Sequence, residues 1–144
     1  MVYVFSLFLF TEHNLVCIYS SDKLPREPFP PQAGISVLDG LAATGLRSIR
    51  YLKEVPGISS LTINDLCTNA TDAARNNCIS NDVFDEKKVQ IVNKDATMLM
   101  YENREPLKNF DVIDIDPYGT AVPFLDAAVQ VHKISTQFLV SFLS

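Results

Sequence analysis

Cysteine and histidine are scarce in this chain, with three cysteines and two histidines among 144 residues. Cys17, Cys67 and Cys78 lie far apart and form no C-x-x-C pair. That spacing excludes a disulfide framework and the usual zinc ligand sets, so no metal is expected. The thiols read as reduced structural groups of an intracellular protein. Basic residues are outnumbered, 12 Lys and Arg against 17 Asp and Glu, for a formal charge of −5. A free-standing nucleic-acid binder draws most of its affinity from neutralised phosphates. With this deficit, either the substrate is small or another region supplies the positive surface. Long apolar runs are missing too. Met1 to Phe10 is strongly apolar, but Thr11-Glu12-His13-Asn14 interrupts it far short of a membrane span. It also lacks the basic start of a signal peptide. A buried strand or an atypical start of the reading frame is expected there, and no membrane association.

What remains is a hydrophobic fraction of 47% in a length that allows one core. The stretch Asp22 to Gly34 carries Pro25, Pro28, Pro30 and Pro31, which forbid a regular helix or central strand. Residues 1–34 therefore read as an atypical segment ending in a proline-rich loop, and 35–144 as the folded unit. In that unit short apolar runs alternate with helical patterns. Strands are expected at Ile35–Leu38, Leu61–Ile63, Val89–Val92, Phe110–Ile115 and Gln137–Leu143. Helices are expected at Gly45–Val55, Thr68–Ile79 with Thr68 as N-cap, Thr97–Asn103 and Val122–His132. Such alternation implies an α/β fold, a parallel sheet with helices on both faces.

Four strands end in an acid: Asp39, Asp65, Asp95 and Asp116. Ligand crevices of open parallel sheets lie beyond the carboxyl ends of the strands, so four acids converge on one edge. Each alone also reads as a helix cap or turn residue. The first strand enters Asp39-Gly40-Leu41-Ala42-Ala43-Thr44-Gly45, a small-residue turn that lets a ligand approach the backbone. It is not G-x-G-x-x-G, and nothing supplies a hydride-transfer acid, which disfavours a nicotinamide enzyme. A carboxylate at Asp65 suits two ribose hydroxyls. Asp95 suits an adenine amine, with Ala96 leaving room for the ring, although Asp95 equally suits the cap of the next helix.

Asp116-Pro117-Tyr118-Gly119 is the most specific motif. An exocyclic amine on a base has its lone pair delocalised into the ring. A carboxylate and a backbone carbonyl that accept its N–H bonds localise that pair for attack on a methyl group. Pro117 fixes the backbone, and Tyr118 offers a face on which a flipped base stacks. The motif looks like the (D/N/S)-P-P-(Y/F) signature of amine methyltransferases, and the turn at Asp39–Gly45 resembles the glycine loop of class I methyltransferases.

With these segments in register, about two-thirds of the chain, Val37 to Gln130, closely resembles the tRNA guanine-26 N2-dimethyltransferase family. Asp39 to Arg50, Ile63-Asn64-Asp65, Asp95 to Tyr101, Phe110 to Gly119 and Phe124 to Ala128 carry the likeness. The resemblance implies a Rossmann-like class I methyltransferase domain, truncated after about the fifth strand. It implies S-adenosyl-L-methionine held by Arg47, Asp65, Asp95 and Ala96, beside the loop from Asp39 to Gly45. Asp116, with Pro117 and Tyr118, would form the catalytic motif, and tRNA would be the substrate. From the residues alone, Arg47 pairs either with the donor's carboxylate or with Asp39 or Asp65.

The family's upstream Asn-Arg-Asp stretch does not appear between Met1 and Gly34, and the family's C-terminal continuation does not appear after His132. The chain is therefore expected to be a fragment, poorly active or inactive alone, with tRNA contacts that need regions absent from it. Rival readings are an amine methyltransferase acting on another base or on protein glutamine, and a non-catalytic module that binds S-adenosylmethionine or a partner.

Overall fold

The computed structural model describes residues 15–19, 34–105, 108–131 and 137–141. Along the chain the elements are β1 (Leu15–Tyr19), β2 (Ile35–Asp39), α1 (Leu46–Glu54), β3 (Ile58–Asn64), α2 (Thr68–Ser80), β4 (Val89–Val92), α3 (Ala96–Glu102), β5 (Val112–Ile115), α4 (Val122–Gln130) and β6 (Gln137–Ser141). They build one six-stranded sheet in the order β1-β6-β5-β2-β3-β4. The strands from β2 to β6 run parallel to their neighbours, as the alternation predicts. β1 is the exception and pairs antiparallel with β6, Leu15 opposite Ser141 and Tyr19 opposite Gln137. The sequence reading placed no strand at Leu15–Tyr19; the strand expected within Met1–Phe10 lies outside the described residues.

Period-two alternation sends side chains of each strand to opposite faces, and each face has its own core. Val37, Leu61, Ile63 and Val89 meet Ile49 of α1 and Ala74 and Cys78 of α2. Leu38, Ile113 and Ile115 meet Leu99 and Met100 of α3 and Ala127 and Ala128 of α4. The two helices between β2 and β4 thus cover one face, and the two that follow cover the other. This division follows from right-handed crossovers once the chain reverses direction across the sheet. The reversal falls between β2 and β5, where Asp39 lies in register with Asp114. It is the topological switch point at which such sheets open a crevice.

Boundaries differ from the sequence reading in two informative places. β3 begins at Ile58 rather than Leu61, because Ser59 and Ser60 are exposed strand residues without an apolar signal. The cap of α2 is Cys67, not Thr68, and no side chain caps it. Thr68 is the first helical residue, and its hydroxyl donates to Asn93 Oδ1 at 3.1 Å. The Cys67 amide donates to Asp65 Oδ1 at 2.9 Å, which holds the chain just before the helix without capping its first turn.

Candidate active site at the carboxyl ends of the strands

The turn after β2 is held down by its backbone. Gly40 N donates to Asp114 O at 2.9 Å, Ala42 N to Asn64 O at 2.8 Å and Gly45 N to Ala42 O at 2.8 Å. A Cβ at Gly40 would lie 2.7 Å from Ile115 Cδ1, so the turn crosses directly against β5. Gly45 has φ +73°, and a Cβ there would lie 2.9 Å from Ala74 Cβ. Only glycine combines that left-handed backbone with so close an approach of α1 to α2. Ala43 also adopts positive φ, at 48°, and presents its amide to Asp65 Oδ2 at 2.8 Å.

Asp65 therefore has one amide on each carboxylate oxygen, which fixes its plane and leaves further lone pairs for hydroxyl donors. Asp95 caps α3 through Oδ1, which accepts from Met98 N at 3.0 Å. Capping engages one of its two oxygens. Ala96 is buried beneath the turn, 3.9 Å from where a Cβ on Gly40 would lie. Exposed Leu46, Leu66 and Met98 stand at the starts of the segments that follow β2, β3 and β4, at this same end of the sheet.

Asp39 sits deeper. It is buried, and Ser48 Oγ donates to its Oδ2 at 2.6 Å. Burial, reinforced by the nearby charge of Asp114, pushes its carboxyl up to about 7. In this position Asp39 braces the first turn of α1 from below.

The guanidinium of Arg47 spans Asp114 and Asp116, two acids the sequence reading did not offer as its partners. Nη1 donates to both oxygens of Asp114 at 2.8 and 3.0 Å, while Nη2 donates to Asp116 Oδ2. Tyr51, one helical turn after Arg47, donates its hydroxyl to Asp114 Oδ2 at 2.7 Å. Burial raises the Asp114 carboxyl above the ordinary range, against the opposing pull of Arg47. Asp116 Oδ1 is buried and has no hydrogen-bond partner among the described residues. Pro117 is buried behind it, and Tyr118 is 97% exposed.

The structure thus brings Asp39, Gly45, Arg47 and Asp116 to the switch point, with Asp65, Asp95 and Ala96 along the neighbouring strand ends. Sequence reasoning missed the part played by Asp114 and Tyr51. Asp114 was legible as an acid inside an apolar strand, a position that demands a partner. Asn64 was also passed over, although its side chain joins two loops. Among the described residues, no group of three or more His, Cys, Asp or Glu is arranged to hold a metal.

The sequence and the fold both have relatives among known proteins. The sequence model for the N2,N2-dimethylguanosine tRNA methyltransferase family matches residues 10–141. The chain belongs to that family. A human tRNA (guanine(26)-N(2))-dimethyltransferase is 52% identical over 99 residues, which are 69% of this chain and 15% of that protein. The Schizosaccharomyces pombe protein of the same name is 50% identical over 99 residues, 68% of this chain and 17% of that one. Trm1 from Pyrococcus horikoshii, solved with S-adenosyl-L-methionine, superimposes with a TM-score of 0.66 at 31% identity, covering 74% of this chain and 31% of that one. A methyltransferase from Agrobacterium tumefaciens, at 17% identity and a TM-score of 0.63, shares the fold alone. The fold is the Rossmann-like one of S-adenosylmethionine-dependent methyltransferases, and this family member spans less than a fifth of the length of these two curated relatives.

Proposed function

We propose that this chain forms the donor-binding and amine-accepting part of an S-adenosylmethionine-dependent methyltransferase that acts on N2 of guanine 26 in tRNA. The observation that carries the reading is the Asp116 carboxylate: one oxygen tethered to Arg47, the other buried without a partner among the described residues, beside an exposed aromatic ring. A buried carboxylate oxygen without a partner is costly, and an N–H donor from a substrate amine removes that cost. Tyr118 stands where an extruded base would stack against it.

The strand ends also fit a nucleoside-bearing donor. Asp65 is aligned by two amides toward hydroxyl donors, and Leu46, Leu66 and Met98 supply apolar walls for a ring. Asp95 has one oxygen left for a ring amine, and the turn from Gly40 to Gly45 lets the donor approach the backbone. S-Adenosylmethionine would supply a methyl group on a positively charged sulfur that leaves as a neutral thioether. Asp116 Oδ1 accepts one N–H of the guanine amine, orients its lone pair, and takes the proton once the N–C bond has formed. Positioning supplies most of the rate enhancement in such a transfer.

The chain's negative charge leaves most phosphate contacts to the part of the protein beyond this segment. A tRNA substrate places the work inside the cell, and no helix among the described residues is long and apolar enough to cross a membrane. The domain division also belongs to this proposal, with donor binding assigned to residues 35–144.

Two measurements test the reading. Calorimetry of the purified chain with S-adenosylmethionine should show binding that Asp65→Ala weakens at least tenfold, as expected for loss of charge-assisted hydrogen bonds. Absence of binding overturns the reading. The second places this segment in the human relative, in place of the 99 residues it matches, and follows methyl transfer to a tRNA transcript. Transfer should persist in the exchange protein and vanish with Asp116→Ala while donor binding stays. Transfer retained by Asp116→Ala sinks the assignment.

A further inference from the structure

The described residues place four side chains in one hydrogen-bonded series: Tyr51 to Asp114, Asp114 to Arg47, and Arg47 to Asp116. Arg47 and Tyr51 are four residues apart on α1, so both reach the same face of the helix. Asp114 is fully buried, a site where an acid stays ionised only with strong partners. It has three donated bonds, two from Arg47 Nη1 and one from the Tyr51 hydroxyl.

A guanidinium is planar, so anchoring Nη1 on Asp114 also fixes where Nη2 points. Nη2 points at Asp116 Oδ2. The Asp116 carboxylate is thereby held in one rotamer, with Oδ1 left for a ligand. We propose that Tyr51 and Asp114 are positioning residues for Asp116 that act through Arg47. This rests on the reading of Asp116 as the amine acceptor, and it assigns work to two residues that touch neither donor nor base.

Tyr51 has a specific part in this. Among the described side chains, Asp114 would otherwise depend on Arg47 alone and would draw the guanidinium fully onto itself, away from Asp116. The hydroxyl shares the load and leaves Nη2 available. Burial and the charge of Asp114 raise the Tyr51 pKa, so the hydroxyl remains a donor across the working pH range. Among the described residues, Asp39, under α1, and Asp116 itself also bear charge on the cluster.

The test uses the full chain, labelled with 15N and followed by NMR, with Arg47→Lys to assign the guanidinium signals. In the wild type, Arg47 N–H signals should exchange slowly with water and be lost on acidification, when Asp114 takes up a proton. Tyr51→Phe, with its fold checked by circular dichroism, should speed that exchange about tenfold. It should also move the acid midpoint up by about one pH unit, the tenfold effect expected for one lost hydrogen bond to a charged group. Unchanged exchange and midpoint in a folded Tyr51→Phe overturn the proposal. Should Tyr51→Phe not fold, the wild type decides: its Tyr51 ring signals and Arg47 signals must titrate together, and separate midpoints overturn the proposal. Transfer retained by Asp116→Ala would instead remove the amine-acceptor reading while leaving the Arg47 tether in place.

Discussion

Asn64 and Lys94, thirty residues apart, exchange a reciprocal pair of hydrogen bonds: Asn64 Nδ2 donates to Lys94 O at 3.0 Å, and Lys94 N donates to Asn64 Oδ1 at 3.1 Å. The other proton of Nδ2 goes to Gly40 O at 2.9 Å. One fully buried amide therefore ties the turn after β2 to the loop after β4, across the end of β3. The three strand ends that carry Gly40, Asp65 and Asp95 are fixed relative to one another by this side chain.

Replacing Asn64 with alanine removes all three bonds, taking the partner from the buried Gly40 carbonyl and from two part-buried backbone groups of Lys94. The expected cost is about 3 kcal/mol of unfolding free energy, in the range for a broken buried network. Asn64→Asp should be little better, because it keeps the acceptor for Lys94 N but turns a second oxygen toward two carbonyls. Urea denaturation of the three proteins checks this. A loss below about 1 kcal/mol for Asn64→Ala would show that water or loop movement replaces the amide.

The alternation of apolar runs and helical patterns sufficed to predict five parallel strands and four helices, because buried central strands read as continuous apolar segments. Leu15–Tyr19 escaped because its partner strand lies 118 to 126 residues later, from Tyr19↔Gln137 to Leu15↔Ser141, and no local signal encodes that pairing. Ser59 and Ser60 hid the start of β3 for the opposite reason, being polar strand residues that face solvent. At the site, motif spacing was enough to find Asp39, Asp65, Asp95 and Asp116. It could not show that Arg47 reaches 67 residues ahead to Asp114, since side-chain pairing depends on how α1 lies over β5. The same limit applies to Asp39. As a strand-end acid it read as a ligand group, yet helix α1 covers it and Ser48 takes its oxygen.

Burial of Asp39 gives stability a pH dependence of unusual sign. Its folded pKa, near 7, lies above the unfolded value of 3.8, so the folded state holds this proton more tightly. Between those values the folded chain binds more protons at this site than the unfolded one, and stability falls as pH rises. The contribution is fully present below about pH 4 and is lost as pH passes through about 7. Asp39→Asn keeps an acceptor for Ser48 and removes the titration. It should flatten this part of the stability curve and raise the melting temperature at pH 8 relative to the parent. Thermal melts of both proteins from pH 4 to 8 decide it, and parallel curves would mean that Asp39 does not carry the dependence.

Tyr118 separates recognition from folding more sharply than any other residue of the site. Its ring is 97% exposed and the glycine after it, with φ +99°, has open space around it. Removing the ring cannot open a cavity, so Tyr118→Ala should change unfolding free energy by no more than about 0.5 kcal/mol. If the ring stacks on the extruded guanine, the same change removes ~1–3 kcal/mol of base contact, a loss of about fivefold to 150-fold in kcat/KM for tRNA. Tyr118→Phe keeps the stacking face and loses only the hydroxyl, so it should retain most of the activity. Affinity for S-adenosylmethionine should be the same in all three proteins, because Tyr118 follows β5 while the donor groups follow β2, β3 and β4. Transfer kinetics in the exchange protein, read beside donor calorimetry and urea melts of the chain, separate these effects. A Tyr118→Phe variant as impaired as Tyr118→Ala would assign the work to the hydroxyl, and stacking on the ring would then have to be abandoned.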